Sequence, residues 1–267
     1  MSTAAVRENR LRDLVDAGTT TLGTRIHSVW PGTVEVLGHT RMFDYVEFLA
    51  ESAPFDLHDL DGLCRAAELH GLATIIKIDQ EPRTFLAQRA IGAGFSGILF
   101  ADCRSVDDAR ACVAAARPET PEHGGTYGVA ARRMAYPGSG GSAEYVGEVA
   151  RVVVALMIEK RGAVDAFDEI VALPGVDLVQ FGPVDYSLSV GRVGESRGPE
   201  ITEVHRHVIE RCLAAGLAVR VEIAAPEEAE HYRELGVLHF CLGVDLGILY
   251  QWWLANGRRL REIVEAR

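Results

Sequence analysis

Val152-Val153-Val154-Ala155-Leu156-Met157-Ile158-Glu159 and Val176-Asp177-Leu178-Val179-Gln180-Phe181-Gly182-Pro183-Val184-Asp185 decide how this chain folds. The first stretch is an unbroken apolar run closed by an acid. The second is a shorter run followed by a Gly-Pro turn and another acid. Short, β-branched runs without polar alternation read as strands buried on both faces, as in parallel sheets. Between them, residues 163–173 carry Val164, Phe167, Ile170 and Val171 at helical spacing. The unit is therefore strand–helix–strand, and the spacing predicts a parallel pair.

The same unit recurs in both directions. Strand-like runs are read at 24–27, 45–50, 74–78, 97–101, 152–158, 178–181, 218–223 and 239–242. Helical stripes at 59–70, 83–92 and 106–116 separate several of them. Eight strands imply an α/β fold of the (β/α)8 TIM-barrel type, one domain over 1–267, which suits a fold of about 250 residues. No Gly-x-Gly-x-x-Gly turn follows the first strand, which argues against a dinucleotide-binding sheet. An extra helix is expected at the N-terminus. The tail 245–267 reads as a helix whose adjacent Trp252 and Trp253 face different sides, so one side is expected to meet a second subunit. Residues 117–141, rich in Gly and Pro, read as a long loop with a short extended piece at 127–131. Its Arg132 and Arg133 are placed to close over an anion.

Composition narrows the function classes. Lys and Arg number 27 against 38 Asp and Glu, for a net charge of −11. That balance disfavours nucleic acid and anionic membrane surfaces as partners. No apolar stretch approaches the roughly 20 residues of a membrane span. Five cysteines without metal-type spacing read as reduced, buried thiols. With no signal-peptide pattern at the start, the expected location is cytoplasmic.

Glu159 and Asp185 lie 26 positions apart in sequence, each just past a strand end. The C-terminal ends of the strands form the active face of such a barrel. Two carboxylates there suit a hard cation, Mg²⁺ or Mn²⁺, which takes one or two acids and keeps room for substrate. Zinc would call for His or Cys ligands instead.

The block from Glu159 through Gly175-Val176-Asp177 to Gly182-Pro183-Val184-Asp185-Tyr186-Ser187 and Gly191 resembles the HpcH/HpaI family of class II, divalent-metal-dependent pyruvate aldolases. Ala53-Pro54, Ala93-Gly94-Phe95-Ser96-Gly97 and Gly243-Val244-Asp245-Leu246-Gly247 extend the resemblance. It implies a (β/α)8 barrel and a homohexamer built as a trimer of dimers. It implies Glu159 and Asp185 as metal ligands, and a small 2-oxo acid such as pyruvate as substrate. The backbone at Gly182, Pro183 and Val184 is expected near the substrate carboxylate.

The chain also departs from that family. The position of its general-base histidine holds Ser52, the preceding aspartate is Leu49, and the acid that orients the histidine falls at Gly92 or its neighbour. The arginine that grips the oxo acid is Lys77, which keeps the charge but loses the two-pronged fork. Met157 replaces a glutamine. His27 and Glu51 are the candidate bases, with a metal-bound water as the alternative, and Arg25, on the same side of its strand as His27, is a candidate carboxylate binder. Glu47 is expected to pair with Lys77; a Schiff-base role for Lys77 fits poorly with retained metal ligands. Lys160, His205 and His207 read as solvated, and Asp79 and Glu81 as helix-capping residues. The expected activity is a metal-dependent carbon–carbon lyase. Alternatives are an oxaloacetate decarboxylase or citrate-forming ligase of the same family, and a non-catalytic binding protein on the same scaffold.

Overall fold

The computed structural model describes residues 9–129 and 138–266. Eight strands close into one barrel in sequence order, β1 to β8, with every neighbouring pair parallel. They are β1 (Thr21–Ile26), β2 (Tyr45–Leu49), β3 (Ala73–Ile78), β4 (Gly97–Cys103), β5 (Val153–Ile158), β6 (Leu178–Phe181), β7 (Ala218–Ile223) and β8 (His239–Val244). The TIM-barrel expectation holds, and β6 and β7 start and end where the sequence placed them. Strand β1 begins three residues earlier than read, because Thr21-Leu22-Gly23 has no apolar run to announce it.

The helices are α1 (Arg10–Asp16), α2 (Pro31–Thr40), α3 (Leu57–Leu69), α4 (Arg83–Ala93), α5 (Val106–Ala116), α6 (Ala143–Ala150), α7 (Arg161–Asp165), α8 (Phe167–Val171), α9 (Pro183–Ser189), α10 (Pro199–Ala214), α11 (Glu228–Glu234) and α12 (Asp245–Glu265). The single helix read at 163–173 is instead the pair α7 and α8, broken at Ala166. In the long loop, Tyr127 bridges Pro118; Arg132 and Arg133 lie outside the described residues. Among the described residues, no helix is long and apolar enough to cross a membrane. All five cysteines are buried, as expected.

Inside the barrel the side chains stack in layers. The lowest is apolar: Leu11 of α1 packs with Tyr45, Ile75, Leu99, Val153 and Leu178, so α1 plugs the N-terminal end. Arg12 and Arg117 clamp that end by pairing with Asp177 at 2.6 and 2.9 Å. Asp177 thus serves the closed face rather than the open one. Above lies a polar layer. Arg220, fully buried, is paired with Glu47 across the barrel and bonds Tyr45 (2.8 Å) and Gln180 (2.5 Å). Gln180 donates to Glu222 at 2.6 Å, and Glu222 pairs with Arg25. The expected Glu47–Lys77 pair is therefore corrected: Glu47 serves Arg220, and Lys77 turns to Glu51. Breaking one partner of a buried pair costs about 3–5 kcal/mol, because the other charge is stranded.

His205 also corrects the sequence reading. It does not point into solvent but stacks on Phe181 at 5.0 Å and leans on Tyr232 at 5.5 Å. Burial, with a smaller push from His231, lowers its pKa to about 4. Because the folded state binds fewer protons than the unfolded chain between about pH 6.5 and 4, His205 costs stability as pH falls through that window. His205→Phe keeps the stacking and removes the titration. Denaturant unfolding at pH 7 and 5 is expected to show the variant losing about 1–2 kcal/mol less than the wild type on acidification; equal losses would contradict the assignment.

Candidate active site

Beyond the polar layer, the C-terminal ends of β2 to β6 bring Glu51, Lys77, Asp79, Asp102, Glu159, Lys160 and Asp185 to one rim. Glu159 follows β5 directly and is wholly shielded from solvent. Its Oε1 accepts the backbone N–H of Asp102 at 2.8 Å. Asp102 takes up a φ of +58°, an uncommon left-handed value for a non-glycine residue. The second oxygen, Oε2, is buried and accepts no hydrogen bond. Leaving such an atom unpaired costs about 1–3 kcal/mol or more. Burial pushes the Glu159 carboxyl up to about 7, against the pull of Lys77 and the Asp102 amide, with Asp185 and Glu51 adding repulsion.

Gly182, after β6, leaves room for that free oxygen. A Cβ at this position would sit 2.5 Å from Glu159 Oε2 and 2.8 Å from Glu159 Cβ. The Gly182 N–H is spent on Ile158 O at 3.0 Å, and Pro183 has none to give. Helix α9 starts at Pro183, and its first-turn amides have no partner within the helix. Of the backbone stretch singled out in the sequence, Val184 is thus the one with an N–H to offer, joined by Asp185.

Asp185, in the first turn of α9, stands about half exposed and meets Lys160 Nζ at 3.3 Å. The same ammonium lies 2.6 Å from Asp102 Oδ1. By sequence Lys160 is a solvated helix start; the structure instead sets it between two acids at the rim. The shorter contact is to Asp102, so the lysine can keep Asp102 and release Asp185 to another cation. An unpaired buried oxygen on Glu159, a cradle at Gly182 and a second carboxylate held by an exchangeable partner are of the chemistry that could hold a hard divalent ion. Among the described residues no cluster of three or more His, Cys, Asp or Glu side chains forms a ready metal cage. Two carboxylates are what a Mg²⁺ site with substrate needs.

Lys77, near the end of β3, pairs with Glu51 Oε2 at 2.5 Å. Burial works against its charge, but Glu159 and Glu51 outweigh burial and hold the ammonium above the ordinary lysine value. A lysine so held stays charged, which counts against Schiff-base chemistry. Asp79 is not the cap of α4: that position is Pro82, without a side-chain bond. Instead, burial and the charges of Glu51 and Asp102 push its carboxyl up. Arg25 is already engaged by Glu222 and by Gly243 O at 3.2 Å. His27 sits past the end of β1, with Nε2 3.2 Å from Ser52 Oγ and Nδ1 3.3 Å from Asp245 Oδ1. Sequence reasoning missed Asp102 and Glu222, misread Lys160 as solvated, and gave Asp245 no role. A signal existed for Asp102 and Asp245, acids at strand ends like Glu159.

Comparison with known proteins identifies the family. Residues 35–251 match the HpcH/HpaI aldolase/citrate lyase family. The chain is 29% identical over 230 residues to the 2-dehydro-3,6-dideoxy-6-sulfogluconate aldolase of Pseudomonas putida, covering 85% of this chain and 88% of that one. An HpcH/HpaI aldolase/citrate lyase family protein from Burkholderia cenocepacia superposes with a TM-score of 0.83 at 27% identity, over 97% of this chain and 100% of that one. A more distant fold neighbour is the citrate lyase beta subunit of M. tuberculosis, solved with oxaloacetate and magnesium. It has a TM-score of 0.57 at 12% identity, over 86% of this chain and 93% of that one. A closed parallel barrel, acids gathered at its C-terminal rim and a match across most of the length lead to one conclusion: this chain belongs to the HpcH/HpaI aldolase/citrate lyase family, enzymes that act on carbon–carbon bonds.

Proposed function

We propose that this enzyme is a Mg²⁺- or Mn²⁺-dependent carbon–carbon lyase acting through the enolate of a pyruvate-like 2-oxo acid. The observation that carries the reading is the unpaired, buried Oε2 of Glu159 facing the space kept open by Gly182. Glu159 and Asp185 hold the ion in this reading. When bound, the ion acts as a Lewis acid on the oxo-acid carbonyl and stabilises negative charge as the carbon–carbon bond breaks.

The chain's own residues do the rest. Lys77 draws the substrate carboxylate towards the rim, and Glu51 holds the ammonium in place at 2.5 Å. The N–H groups of Val184 and Asp185 add donors from the first turn of α9. Arg25 acts through Glu222, contributing to the field at the mouth rather than gripping substrate. Lys160, kept by Asp102, stays on the rim as a second positive charge. The family's named members and the magnesium in a fold neighbour support the reading without fixing the substrate of this chain.

Calorimetric titration with Mn²⁺ tests the site. The wild type is expected to bind one ion per chain, and Glu159→Gln to bind at least about 100-fold more weakly with loss of turnover. Undiminished binding by Glu159→Gln would reject Glu159 as a ligand.

The same reading includes a homo-oligomer, a hexamer assembled as a trimer of dimers. Helix α12, 21 residues long, buries none of them in its own chain, and Trp252 and Trp253 are each 62% exposed. Beside β1 and β8, a largely apolar cavity of about 470 Å³ opens among Leu22, Phe43, Phe240 and Leu242. An exposed apolar helix and an unfilled apolar cavity are the two halves of an interface between copies. Sedimentation of the wild type is expected at a multiple of the 29.0 kDa chain mass, and of the Trp252→Asp/Trp253→Asp variant at a smaller one. A monomeric wild type would contradict the assembly.

A further inference from the structure

One more group at the mouth is arranged for chemistry, and its role rests on the lyase activity proposed above. Asp245, His27 and Ser52 come from the ends of β8, β1 and β2 and form an unbroken chain. Asp245 is fixed by backbone donors: the His27 N–H lies 3.0 Å from each oxygen, that of Ser28 2.9 Å from Oδ2 and that of Leu246 2.7 Å from Oδ1. A carboxylate only accepts, so the His27 Nδ1 that meets it at 3.3 Å carries the ring proton. Nε2 is then an acceptor, and Ser52 Oγ, at 3.2 Å, donates to it. Ser52 is exposed, held in a turn by Leu49 O, and is the residue after Glu51, whose carboxylate grips Lys77. The relay therefore ends on the same rim as the Glu159 site.

We propose that Asp245, His27 and Ser52 form the proton relay of this enzyme, acting on the 4-hydroxyl of a 4-hydroxy-2-oxo acid. Ser52 Oγ takes the hydroxyl proton as His27 Nε2 takes the proton of Ser52. The C4–O bond becomes a carbonyl, the C3–C4 bond breaks, and its electron pair passes to C3 as the enolate. His27 then returns the proton through Ser52 to C3, which yields the 2-oxo acid and restores the relay. Asp245 is a positioning residue, setting the tautomer and steadying the imidazolium. A purely structural role for the trio, tying β1 to β8, would leave proton transfer to another group.

Two substrates separate these cases. Full-length, Mn²⁺-loaded enzyme is assayed with 4-hydroxy-2-oxopentanoate, whose cleavage needs a base, and with oxaloacetate, whose decarboxylation forms the enolate by losing CO₂, loads no proton onto the relay and leaves C3 to be protonated from solvent. His27→Gln is expected to lower kcat for cleavage about 10²–10⁴-fold while decarboxylation stays within about threefold. Ser52→Ala is expected to lose cleavage about tenfold, Ser52→Thr to keep it, and His27→Ala to regain it with added imidazole. Parallel loss of both activities in His27→Gln, or wild-type cleavage by it, would overturn the relay. So would a wild type that decarboxylates but does not cleave, which leaves the metal reading standing. A wild type inert to both substrates would count against the lyase reading itself.

Discussion

The carboxylate of Glu159 is the constraint around which the open end of this barrel is arranged. It is taken wholly out of water at the end of β5, with one oxygen tied to a backbone amide and the other left without a partner. An ionised carboxyl in such a place is costly, which is why its pKa climbs to about 7. Nearby residues make sense as responses to that charge. Lys77 answers it from β3, the left-handed Asp102 turns its amide towards it, and Gly182 clears the space beside it. A divalent cation shared with Asp185 would complete the balance, because two lysines already spoken for by other acids cannot.

The closed end and the middle of the barrel supply the rigidity that this arrangement needs. Leu11 of α1 seals the bottom layer, and the Arg12–Asp177–Arg117 cluster fastens the plug. Above it, Arg220 links β2, β6 and β7 through Glu47, Gln180 and Tyr45. Glu222 then passes the network up to Arg25 at the mouth. The barrel thus changes from apolar to polar to charged along its axis, with chemistry confined to the last layer.

Much of the barrel was legible in the amino-acid sequence. Runs such as Leu178–Phe181 and Ala218–Ile223 are buried on both faces, and that leaves a direct trace in composition. Glu159 and Asp185 were legible because acids punctuate those runs. The pairing of charges was not. Glu47 and Arg220 each interrupt an apolar strand, and that shared oddity is a signal for a cross-barrel pair. Choosing between Arg220 and Lys77 as the partner depends on how far each side chain reaches across the barrel, which spacing does not record. The role of Lys160 is hidden for the same reason: nothing in its sequence neighbours says that β4 delivers Asp102 beside it. His27 was legible as a strand-end histidine, but its partners come from β2 and β8, 25 and 218 residues away.

Lys160 decides how directly the central claim can be tested, since its ammonium lies 3.3 Å from Asp185 Oδ1. Anomalous diffraction from crystals soaked in Mn²⁺ and oxalate reads the outcome atom by atom. The account predicts one strong peak within bonding distance of Glu159 Oε2 and an Asp185 oxygen, with Lys160 drawn over to Asp102 alone. No peak there, with Lys160 still astride both acids, would contradict it.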